Sequence, residues 1–277
     1  MKLNASCNLL IYAATDSHII TMLRPRSGAA QWVLKEHYEL KPWVPTTEFV
    51  DSYGNLCQRL VVPKGEMRIA VESEVEVEDH IARAPQARHT LIAELPYDAI
   101  QYLLPSRYCP SDKMMELARD IVGNASAGYA QVETIRAWIH NKLEYKYGVS
   151  DATTDALETL AHGAGVCRDF SHVGIALCRS LQIPARMVAG YLHRLDPMDL
   201  HAWFEAFVGG RWYTFDPTQT TLRGGRIVVG YGRDATDVAF ISDYCSPPLE
   251  VREIKVEVTS VNDQTHKKEV PITRPQM

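Results

Sequence analysis

Two runs rich in aromatic and branched residues, His201–Val208 and Arg211–Phe215, flank the pair Gly209-Gly210. That pattern specifies a β-hairpin with a two-residue turn, and a register follows from it. With the glycines in the turn, Val208 faces Arg211 and, further out, Trp203 faces Asp216. His201 then lies two positions along from Trp203 on the face of Asp216, a diagonal of about 7–8 Å between Cα atoms that side chains can bridge. A carboxylate so placed can hold one imidazole nitrogen and fix the ring's tautomer. A slip of one residue would send Asp216 to the opposite face. Trp203 and Phe207 share the face of His201, whereas Ala202, Phe204, Ala206 and Val208 line the other, with Glu205 the one charge. A strand apolar on both sides belongs inside a sheet rather than at its edge.

The run Gly163-Ala164-Gly165-Val166-Cys167-Arg168-Asp169-Phe170 places a thiol where two glycines lead into a helix. After Cys167, Phe170, Val173, Leu177 and Leu181 recur at helical steps, and Ile183-Pro184 ends the run. A cysteine at a helix N-terminus sits beside unpaired backbone N–H groups and the positive end of the macrodipole, both of which favour the thiolate. The same N–H groups can receive an oxyanion during acyl transfer. Singly, each residue has a plain alternative: a buried structural cysteine, a surface histidine, a turn-forming Asp-Pro. Jointly, Cys167, His201 and Asp216 supply a nucleophile, a base and an orienting carboxylate. Trp203 and Asp169 are the candidates for the substrate cleft and oxyanion site; for Trp203, packing is the plain alternative. His172, one turn past Cys167, is the nearest rival base, but on a helix it projects from the side and is expected to pack or face solvent.

These motifs resemble the core of the transglutaminase-like superfamily. The resemblance rests on the cysteine run, on Pro184-Ala185-Arg186-Met187-Val188-Ala189-Gly190-Tyr191, on His201-Ala202-Trp203-Phe204-Glu205 and on Trp212-Tyr213-Thr214-Phe215-Asp216-Pro217-Thr218. It implies a papain-like α+β core with Cys167, His201 and Asp216 as triad. Pro25-Arg26 with Gln31, Asp51 with Tyr53-Gly54-Asn55, Leu104-Pro105-Ser106 and the run from Gly232 to Val238 resemble the bacterial members, which carry an N-terminal β domain. Relatives include hydrolases, amine-transferring enzymes and members without catalysis. The resemblance to proteins described as cysteine proteases, and a chain without the extra domains of animal cross-linking enzymes, favour a peptidase or amidase. A protein-glutamine γ-glutamyltransferase and a non-catalytic peptide-binding module in the same cleft remain alternatives.

The 277-residue length suits two domains, and 46% apolar residues suffice for packed cores. Residues 1–105 are expected to form an antiparallel β domain of sandwich or meander type: residues 67–78 place Ile69, Val71, Val75 and Val77 on one parity and acids on much of the other. Residues 51–55 read as a turn between strands. Residues 106–245 are expected to form the α+β core, with the cysteine helix packed on an antiparallel sheet. Helical spacing marks residues 114–122 and 132–143, and Thr154 is positioned to cap a short helix over 156–160. Residues 246–277 hold a last strand, 251–261, able to return to the first domain, and a tail.

A formal charge of −5 gives no electrostatic reason to expect nucleic acid or an anionic membrane as partner. No apolar run has the length of a membrane span, the start lacks a signal-peptide segment, and six cysteines show no close pairing pattern, so a cytoplasmic protein is expected. Cys178 is expected in the core. No His-Glu-x-x-His run and no Asp-rich calcium loop is present, so neither metal nor cofactor is expected. The expected partner is a peptide or protein substrate bearing an amide.

Overall fold

Alternation governs the first part of the chain. The computed structural model describes residues 1–28 and 30–261; the tail beyond the last strand lies outside them. Six strands come first: β1 (Lys2–Ala13), β2 (Ser17–Thr21), β3 (Gln31–Lys41), β4 (Thr46–Val50), β5 (Leu56–Val62) and β6 (Gly65–Val77). In β1 every second residue from Leu3 onward is buried, and in β6 Ile69, Val71, Val75 and Val77 point inward while Glu72 and Glu76 face solvent. The turn at residues 51–55 closes through Gly54, at φ 85°, with the Asp51 carboxylate accepting the Tyr53 and Asn55 N–H groups.

Helices follow: α1 (Tyr97–Ile100), α2 (Met115–Val122), α3 (Tyr129–Lys142), α4 (Ala156–His162) and α5 (Cys167–Ser180), with the two-residue strands β7 (Glu144–Tyr145) and β8 (Ala164–Gly165) among them. Then come β9 (Ala185–Leu192), β10 (His201–Val208), β11 (Arg211–Phe215), β12 (Arg226–Gly232), β13 (Ile241–Asp243) and β14 (Glu250–Ser260). The expectation that Thr154 caps α4 is corrected. Asp155 is the cap: its carboxylate accepts the Glu158 N–H at 2.9 Å and Glu158 accepts the Asp155 N–H at 2.9 Å. The Thr154 hydroxyl instead accepts the Asp151 N–H, because the helix begins one residue later than a Thr154 cap requires.

The sheets are antiparallel apart from the short β7–β8 pair. Their orders are β14-β1-β6-β3, β13-β2-β5-β4 and β11-β10-β9-β12. The first two enclose one core, which also takes in Ala189, Tyr191, Ile227 and Val229 from the third sheet. β14 runs beside β1 with Leu3 opposite Ser260, so the C-terminal strand lies in the N-terminal sheet. A second core packs α5 on the third sheet, with Phe170, Val173 and Leu177 against Ala202, Phe204, Ala206 and Val208. Burying each large side chain of this kind contributes about 1.5–3 kcal/mol. Helix and sheet meet closely at Gly174, where a Cβ would lie 2.5 Å from the Phe204 ring. The architecture is α+β, with N-terminal antiparallel sheets followed by a helix-on-sheet core.

Candidate active site

The glycines before Cys167 have separate tasks. Gly163 ends α4 in the left-handed region at φ 69°. Gly165 leaves room for Asp169: a Cβ there would lie 2.7 Å from the Asp169 Cβ. Asp169 therefore folds back beneath the loop and accepts the Val166 N–H at 2.9 Å and the Ser150 hydroxyl at 2.5 Å. Its other oxygen accepts the Arg168 guanidinium at 2.8 Å. This arrangement fixes the approach to α5, whose first residue is Cys167. Asp169 is fully buried with both oxygens taken up by these hydrogen bonds, so it braces the cysteine loop rather than serving an oxyanion.

β10 lies inside its sheet, between β11 and β9. Val208 pairs with Arg211 and Phe204 with Phe215. Continued outward, that register sets Trp203 opposite Asp216, as the turn glycines imply. The His201 Nε2–H donates to Asp216 Oδ2 at 2.8 Å, leaving Nδ1 for another partner. Cys167 acts on the same imidazole, its side chain adding to the rise in the His201 pKa. Burial opposes a charge on His201, but Asp216 and then Cys167 outweigh it and the imidazolium is held up to about 9. Asp216 is fully buried, which alone would raise its pKa; His201, Arg226 and Thr218 hold it well below the usual carboxylate range instead. Its Oδ1 accepts both the Thr218 N–H at 3.0 Å and the Thr218 hydroxyl at 2.7 Å, and its Oδ2 also accepts the Arg226 guanidinium at 2.9 Å.

Trp203 is 1% exposed, its ring 6.0 Å from that of His201. Its indole N–H has no partner among the described residues. His172 stacks on Tyr108 at 4.9 Å, and its Nε2 accepts the Ala235 N–H. Burial pushes its pKa down to about 4, so it is a neutral packing residue. Cys178 lies in the core.

Four neighbours of Cys167, His201 and Asp216 escape sequence reasoning. The β7–β8 bridge pairs Tyr145 with Gly165, two residues before Cys167, and sets its ring 5.8 Å from Phe170; burial and then Cys167 push its phenol well above the ordinary value. Tyr147 packs edge-on against Tyr145 at 5.6 Å and its hydroxyl reaches Asp199, two residues before His201. Arg226 arrives from β12. Thr218 alone had a local signal, since Asp-Pro-Thr is an Asx-turn pattern.

Residues 115–217 match the family model of the transglutaminase-like superfamily, and residues 12–78 match that of the bacterial transglutaminase-like N-terminal region. An uncharacterized protein of Mycobacterium leprae is 32% identical over 264 residues, which are 89% of this chain and 93% of that one. An uncharacterized protein of Mycobacterium tuberculosis is 32% identical over 179 residues, 58% of this chain and 52% of that protein, so the match spans about half of its length. The crystal structure of "a Putative Cysteine Protease from Cytophaga hutchinsonii" superposes with a TM-score of 0.88 at 32% identity, covering 94% of this chain and 91% of the other. A helix that begins at its cysteine, a histidine that opens β10 and an aspartate just past the end of β11, and these matches along nearly the whole length show that the chain belongs to the transglutaminase-like superfamily.

Proposed function

We propose that the protein is a cysteine-nucleophile amide-bond enzyme, a peptidase or amidase that works through a thioester on Cys167. The observation that carries this reading is the His201 imidazole, buried and hydrogen-bonded at Nε2 to the Asp216 carboxylate at 2.8 Å, where Asp216 and then Cys167 hold the imidazolium up to about 9. An imidazole held in this way keeps a proton beside the sulfur at neutral pH, which favours a thiolate–imidazolium pair. The thiolate attacks the amide carbonyl carbon and the carbonyl π pair moves to oxygen. The Cys167 N–H and the Tyr145 hydroxyl are the donors for that oxyanion. As the C–N bond breaks, the imidazolium gives its proton to the departing amine, and a thioester remains. Water, deprotonated by the now neutral His201, then attacks; the C–S bond breaks and the pair is restored. Asp216 keeps the ring in place throughout, while Asp169 and Trp203 position the cysteine loop and the imidazole.

Hydrolysis is favoured over amine transfer by the likeness, 32% identical over 94% of this chain, to a protein described as a cysteine protease. The substrate is then a peptide or protein amide. The proposed compartment is the cytoplasm, on the strength of six cysteines that are all free thiols. Among the described residues no helix is long and apolar enough to cross a membrane.

The test has two stages. Iodoacetamide near pH 6 should alkylate Cys167 selectively, and His201→Ala should abolish that selectivity; equal labelling of all cysteines, unchanged by the substitution, sinks the catalytic reading in favour of a binding module. Candidate peptides are then incubated with and without excess primary amine. Release of ammonia or a new N-terminus without amine incorporation marks hydrolysis, whereas incorporation marks transfer.

A further inference from the structure

We propose that Arg226 is a positioning residue of the triad: carried on β12, its guanidinium shares the Oδ2 oxygen of Asp216 with His201 and limits how tightly the imidazolium is held. This rests on the chemistry proposed for Cys167 but is read by a different measurement.

The geometry is specific. Arg226 Nη2 donates to Asp216 Oδ2 at 2.9 Å, and His201 Nε2 donates to the same atom at 2.8 Å. Two cationic donors on one oxygen divide its charge. Asp216 is thereby balanced even when His201 is neutral, and the imidazolium faces a like charge across the shared atom. Arg226 Nε donates to the Arg223 carbonyl, and the guanidinium lies 4.9 Å from the centre of the Trp203 ring, which itself borders His201. Burial works against the charge of Arg226 and Asp216 works for it. The charged and titratable groups around this centre are few. Asp216 and Cys167 act on His201, Arg223 and Glu205 on Arg226, and Cys167 on Tyr145 and Tyr147.

The strand that delivers Arg226 is held in register from outside the catalytic core. β12 is an edge of its sheet, and its outward backbone groups are paired by two side-chain amides from the N-terminal region, Gln31 at the start of β3 and Asn55 in the turn before β5. Gln31 donates to the Val228 carbonyl and accepts the Val228 N–H, both at 2.7 Å. Asn55 donates to the Tyr231 carbonyl at 2.7 Å and accepts the Tyr231 N–H at 2.8 Å. On the other side β12 pairs with β9, where Gly190 stands opposite both Val228 and His201. A Cβ at Gly190 would lie 2.0 Å from the Ile227 carbonyl oxygen and 3.2 Å from Trp203, so glycine is what lets the strand and the indole close in. Arg226 therefore reaches Asp216 from a braced strand and not from a loop.

The experiment follows His201 by NMR titration of protein labelled with 15N-histidine. Arg226→Gln should raise the His201 midpoint by about one pH unit, the low end of the roughly 1–3 units that a neighbouring charge exerts. Arg226→Lys, which keeps the charge, should leave the midpoint near that of the unaltered protein. A folded Arg226→Gln protein whose midpoint stays put or falls overturns the proposal, because a merely structural arginine would change the melting temperature without raising that midpoint. Should Arg226→Gln not fold by circular dichroism, the unaltered protein decides: its Arg226 guanidinium 15N signal should inflect at the His201 midpoint, and a flat trace there overturns the shared-oxygen linkage. Iodoacetamide labelling in parallel reports on Cys167 chemistry alone, so a failure of the nucleophile reading is seen separately.

Discussion

Asp216 accepts the Nε2–H of His201 at 2.8 Å while both groups are withdrawn from water. Hydrogen bonds to a buried charge are among the stronger ones in proteins, about 1.5–3 kcal/mol each, and this one also fixes the tautomer. Asp216→Asn removes the charge and one acceptor site. Amide hydrolysis is expected to fall by roughly three to four orders of magnitude, the scale seen when an orienting aspartate is neutralised in a triad. The His201 midpoint should drop below about 9, since the main partner raising it is lost. Steady-state kinetics on a cleaved peptide together with the histidine titration check both effects; unchanged turnover would remove Asp216 from the triad.

Features governed by a local period were legible before the structure. The hairpin register of β10 and β11 follows from turn chemistry and a period of two. α5 follows from a period of 3.6 and the glycines that precede it. Arg226 and Tyr145 were not legible, because nothing near them in sequence says what they face. Tyr145 comes beside Cys167 through a two-residue parallel bridge across about twenty positions, and Arg226 reaches Asp216 from the opposite edge of the sheet. The α4 cap was misplaced by one residue because Thr154 and Asp155 are both good caps, and only the helix start decides between them. Gln31 and Asn55 were visible as motif residues, yet their pairing with β12 is a tertiary fact.

Tyr145 offers a test of the oxyanion site separate from the nucleophile. The bridge to Gly165 sets it beside Cys167, and burial followed by Cys167 pushes its pKa well above the ordinary phenol value. Tyr145 thus keeps its proton and can donate it. Tyr145→Phe is expected to lower kcat by about 10²–10³, as loss of one oxyanion donor does, with KM little changed. Alkylation of Cys167 by iodoacetamide forms no tetrahedral oxyanion, so its rate should persist. Equal losses in both assays would assign Tyr145 to packing around the sulfur.

Two histidines set opposite limbs of stability. His201 is held to about 9 against an ordinary value of 6.5, so the folded state keeps a proton that the unfolded chain has lost. Its contribution is complete below pH 6.5 and disappears as pH rises towards 9. His172 is pushed down to about 4, so between pH 6.5 and 4 the unfolded chain takes up a proton that the fold refuses. Stability falls along that limb as pH falls. Urea midpoints between pH 4 and 9 should peak near 6.5. His172→Phe, which keeps a ring against Tyr108, should flatten the acid limb and leave the alkaline one unchanged; a persistent acid limb would shift the cause to other groups.

At Gly174, α5 lies tight against the sheet that carries His201. A Cβ there would meet Phe204 at 2.5 Å, and the ring cannot retreat because it is fully buried and stacked on Phe215 at 5.7 Å. Alanine normally favours a helix over glycine by about 0.8–1 kcal/mol. At this position overpacking, about 1–3 kcal/mol, outweighs that gain. Gly174→Ala should therefore lower the urea midpoint despite its better helix propensity. It should also slow Cys167 alkylation near pH 6, because α5 can yield only by lifting from β10 and taking the thiol away from the imidazole. A stabilised Gly174→Ala protein with unchanged alkylation would show that helix and sheet have slack at this crossing.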